Sequence, residues 1–156
     1  MKKTAMAVVM FFLITCFATL AYADLASFLS DLNTQAQEDL NSYSEKLGNQ
    51  FGVALQQVQD IINIVEDPAD AFMIFQLGQM ANKEHETVLE SYERNKGKGW
   101  GVIAQELGIK PGSSEFHALK RGDFTFTGVP GESAETGQGK GKGKDKDKEK
   151  GKGHNK

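Results

Sequence analysis

The sequence predicts an all-α protein, a compact bundle of about five or six helices, and three observations predict it. Apolar residues recur at separations of three and four through most of the span 24–119. Helix-boundary residues punctuate that span: Gly48, Asp67-Pro68, Asn82, Gly108, Ser113 and Gly122. Two-residue alternation is confined to Phe124-Thr125-Phe126-Thr127, too short to define a strand.

The chain opens on an export signal. Lys2 and Lys3 form a short positive region, Ala5 to Leu20 is almost wholly apolar, and Ala21 and Ala23 are the small residues a signal peptidase requires. The expected cut follows Ala23, so the mature chain begins at Asp24 and is periplasmic or secreted. Left uncut, the segment approaches the ~20 residues that cross a bilayer. A lipoprotein box ending at Cys16 is disfavoured by the bulk of Thr15. Three regions follow from this: 1–23 as signal peptide, 24–122 as helical domain and 123–156 as low-complexity tail.

Within the domain, Leu25, Phe28, Leu29, Leu32, Ala36, Leu40, Tyr43 and Leu47 lie on one stripe, predicting a single amphipathic helix from Asp24 to Leu47 stopped by Gly48. Residues 53–65 repeat the pattern through Val58, Ile61 and Ile62. Asp67 then reads as an N-cap with Pro68 at the first helical position, where its missing N–H costs nothing. The helix it starts carries Phe72, Met73, Ile74, Phe75 and Leu77 together. A helix apolar on nearly all sides is buried on nearly all sides, so this one is expected at the centre of the core. Asn82 is expected to cap a helix running to Arg94; Asn95 to Gly99 break it; Trp100 to Leu107 form a short helix ended by Gly108; and Ser113 caps a last helix closed by Gly122.

The formal net charge of −3 conceals a segregation. Residues 24–123 carry 16 acidic and 8 basic side chains, whereas residues 138–156 carry 8 lysines against three carboxylates. From residue 128 onward Val129 is the only aliphatic side chain larger than alanine, a composition that predicts disorder. Lys140, Lys142, Lys144, Lys146, Lys148, Lys150 and Lys152 alternate with glycine or acid, forming a diffuse positive brush. Its expected partners are anionic envelope components: lipid headgroups, lipopolysaccharide or acidic polymers. A solubilising tail with no partner explains the same composition. The only cysteine, Cys16, leaves with the signal peptide, so the mature chain has no disulfide, thiol nucleophile or thiolate metal site.

No catalytic constellation emerges, and no cofactor or metal is expected. Gly99-Trp100-Gly101-Val102-Ile103-Ala104 matches a loose dinucleotide fingerprint, but that motif functions only after a buried strand, and a helix end precedes it here. His85-Glu86 begins a zinc-protease motif whose second histidine is replaced by Leu89. A site shared by His85, His117 and Glu84 or Glu86 requires their helices to meet. Residues 100–121 have the outline of a helix-turn-helix, with Lys120 and Arg121 available to phosphates. The long Lys110-to-Ser113 connection, the acidic body and the export signal argue against a nucleic-acid partner. One loop retains a binding reading. Lys96, Lys98 and Trp100, interleaved with Gly97, Gly99 and Gly101, offer positive charge, a stacking face and close backbone approach to an anionic or sugar-like ligand. A helix-linking loop anchored by its tryptophan explains the same residues.

The segments PADAFMIFQLGQM (68–80) and NKGKGWGVIAQELGIKPGSSEFHAL (95–119) resemble small exported bacterial proteins of uncharacterised function. The two segments together span 38 of the 133 residues from Asp24 onward. It implies a shared helical fold and assigns no activity to any residue. The sequence thus predicts an exported, non-enzymatic helical protein, either envelope-associated through its tail or ligand-binding through the Lys96–Trp100 loop. It does not define an oligomeric state.

Overall fold

The computed structural model describes the backbone of residues 20–131 and the side chains of residues 25–131. Most of the expected signal peptide (1–19) and the tail from residue 132, with all its alternating lysines, lie outside the described residues.

Seven helices form among the described residues: α1 (Leu20–Glu38), α2 (Leu40–Phe51), α3 (Leu55–Ile62), α4 (Pro68–Ala81), α5 (His85–Arg94), α6 (Trp100–Glu106) and α7 (Ser114–Arg121). No strand forms among them, so the all-α expectation holds. The helix α4 is the axis of the bundle, with α1, α2, α3, α5 and α6 packed on it and α7 against α1 and α6. Every residue from Ala71 to Gly78 is buried, as its apolar run predicts. No helix among the described residues is long and apolar enough to cross a membrane.

The single helix expected over 24–47 is two. Asp39 leaves helical geometry at φ −154° and its Oδ1 accepts the Ser42 N–H at 3.0 Å, capping α2. Ala36 before the break and Tyr43 after it are both buried in the core. Gly48 is not the stop either. It lies inside α2, which ends at Gly52 in the left-handed conformation, φ 68°. The chain then folds back so closely that a β-carbon on Gly48 would lie 2.8 Å from the Val53 carbonyl oxygen. Glycine is required there for approach, not for termination.

Asn82 closes α4 in the left-handed conformation instead of opening α5, whose N-cap is Glu84. Asn tolerates that geometry better than most residues. Asp67 and Pro68 start α4 as expected, but the Ala69 N–H is satisfied from α1, by Asn33 Oδ1 at 2.8 Å. Ser113 caps α7 through the Phe116 N–H, and Gly122 ends it at φ 65°.

The boundary expected at residue 122 moves. Residues 123–131 form no helix or strand, yet Phe124 is buried and Phe126 packs against the core. Gln50, itself buried, fastens this segment. Its Nε2 donates to the Thr125 carbonyl at 2.8 Å, and its Oε1 accepts from the N–H groups of Thr127 and Gly128 at 3.0 and 3.1 Å. The folded body therefore reaches at least Gly131, whose N–H donates to the Gln50 carbonyl at 3.2 Å.

Candidate functional site

The Lys96–Trp100 loop borders a groove of about 560 Å³ between α1, α6 and α7. Leu25, Leu29, Val102, Phe116 and Leu119 supply its apolar walls, and Lys98 and Lys120 its cations. It is larger than the cavities beside His85 (340 Å³) and beside Ile109 (280 Å³), and falls within the roughly 300–1,000 Å³ of small-molecule sites.

The loop is built rigidly. The Asn95 Nδ2 donates to the Ser91 carbonyl at 2.8 Å and to the Glu106 carboxylate, which also pairs with Arg94. Those hydrogen bonds, Arg94's foremost, hold the Glu106 carboxyl below the usual range. Gly99 takes φ 85°, ψ 156°, a conformation essentially confined to glycine, and so turns the chain into α6.

The three loop residues separate in space. Trp100 and Lys98 line the groove, with Lys98 Nζ 3.2 Å from Asn95 Oδ1. Lys96 faces elsewhere: its Nζ is 5.6 Å from the Tyr92 ring centroid and 3.9 Å from a Glu66 carboxylate oxygen. Trp100 stacks on Tyr92, centroids 5.4 Å apart and planes 22° from parallel. One side of Trp100 is thus packed against Tyr92 and another borders the cavity.

Behind this platform lies a polar cluster. The Tyr92 hydroxyl donates to Asp70 Oδ2 at 2.8 Å and accepts the Glu66 N–H at 3.3 Å. The Tyr43 hydroxyl donates to the Pro68 carbonyl at 2.9 Å. Burial raises the Tyr92 hydroxyl to about 12, so it remains a donor at neutral pH. Burial also raises Asp70, only partly offset by the hydrogen bonds from Tyr92 and Asp67. Folded Asp70 thus holds its proton more tightly than the unfolded chain does. Its contribution is greatest below the ordinary carboxylate range and is lost as pH rises through the elevated pKa. Urea denaturation of Asp70→Asn between about pH 4 and pH 7 checks this. The wild type should lose stability relative to the variant as pH rises, and a constant difference would contradict the assignment.

Other sequence motifs resolve plainly. Glu84, His85 and Glu86 lie together, His85 Nε2 3.0 Å from a Glu86 carboxylate oxygen, but His117 is not among them. The helix-turn-helix outline fails: residues 107–113 separate α6 from α7, beyond the usual 3–4-residue turn, and Phe116 and Leu119 of the would-be reading helix are buried. The groove walls from α1 and α7 were not legible as a site, since an amphipathic stripe looks the same whether it meets a neighbour or a cavity. Comparison of the chain with protein-family models, curated proteins and solved structures returned no match.

Proposed function

We propose that this is an exported, non-enzymatic binding protein whose ligand occupies the groove beside Trp100. The observation that carries the reading is the groove itself: an apolar cavity of small-molecule size with an aromatic platform and a pinned loop at its edge. The signal sequence supports an extracytoplasmic setting, and the alternating lysines of the tail support work near anionic envelope surfaces.

Titration with the neutral apolar dye Nile red, read through the single tryptophan, tests this. Dye binding should quench Trp100, and Ala26→Phe, which fills the groove from the exposed side of α1, should weaken it at least about tenfold with helical content unchanged. Absence of binding, or binding indifferent to Ala26→Phe, would overturn the reading.

A further inference from the structure

Resting on that reading, we infer that the groove's ligand is a single-chain amphiphile with an anionic head, a carboxylate or a phosphate monoester. The charge pattern is the first reason. The body carries twice as many acidic as basic side chains over residues 24–123, yet among the described residues the groove lining contains Lys98 and Lys120 and no Asp or Glu. A groove that collects cations in an acidic body complements an anion.

The placement of those cations is the second. Lys98 is tethered to Asn95 in the pinned loop, and Lys120 Nζ lies 6.0 Å from the centroid of Phe116, a groove wall. Charge and apolar surface therefore adjoin, as an amphiphile's head and chain do. Volume is the third. A methylene occupies about the volume of a water molecule, ~30 Å³, so a twelve-carbon chain needs roughly 360 Å³. The groove offers about 560 Å³, room for one such chain.

The experiment uses the full chain and four dodecyl probes below their micelle concentrations: laurate, dodecyl phosphate, dodecyl maltoside and dodecyltrimethylammonium. Affinities are read by calorimetry and Trp100 fluorescence. The anionic probes should bind about tenfold more tightly than the neutral one, since each partly exposed lysine contributes up to about fivefold. The double variant Lys98→Gln/Lys120→Gln should remove that preference while the tail lysines remain. Preference for laurate identifies a carboxylate head, and preference for dodecyl phosphate a phosphate. Equal affinity for all heads overturns the anionic assignment and leaves the groove reading intact. A preference that survives the double variant places the head on the tail and also overturns it. Binding of none overturns both.

Discussion

Replacing Gln50 with leucine should destabilise the protein by about 3 kcal/mol, because three backbone groups lose their partner at once. Leucine is close in volume but can neither accept from Thr127 and Gly128 nor donate to Thr125. The consequence extends beyond the hydrogen bonds. Without the clamp, residues 124–131 lose their register on α2, and Phe124 and Phe126 lose the geometry that seats them against Phe72. Urea denaturation measures the loss, and limited proteolysis should show new cleavage within 123–131. A change under about 1 kcal/mol with unaltered proteolysis would mean that the aromatic contacts alone hold the segment.

Phe72→Ala should cost about 3–5 kcal/mol, the range for deleting a buried aromatic ring. Phe72 is fully buried, and its ring meets those of Phe28, Phe51, Phe124 and Phe126 at 5.2, 5.5, 6.0 and 5.8 Å. One side chain thus joins α1, α2, α4 and the C-terminal segment. For a domain of this size the loss lowers Tm by at least about 12 °C, readable by circular dichroism. Phe72→Leu keeps most of the buried surface and should cost less than half as much. Equal losses for the two variants would point to the backbone of α4 and not to the ring.

Much of the fold was legible because periodicity survives without tertiary knowledge. The apolar run of α4, the Asp67-Pro68 start and the Ser113 cap all act locally, within a few residues. What was not legible depends on distant partners. Gly48 reads as a stop until Val53 is seen folding over it. Asp39 breaks a stripe whose spacing continues unperturbed across the break. Gln50 shows no sequence sign of holding residues more than seventy positions away. Those residues look like tail because their composition is poor, yet two phenylalanines and one buried amide hold them in place. The candidate site divides the same way. Trp100 and Lys98 stood out by residue type, whereas Leu25, Leu29, Phe116 and Leu119 became groove walls only when α1 and α7 met.

A backbone and methyl NMR titration of the full chain with laurate tests the binding groove most directly. Occupancy predicts shifts concentrated at Leu25, Leu29, Trp100, Val102 and Leu119, with Ile64 and residues of the His85 cavity unmoved. Shifts confined to the tail lysines, or spread evenly over the surface, would contradict a built binding site between α1, α6 and α7.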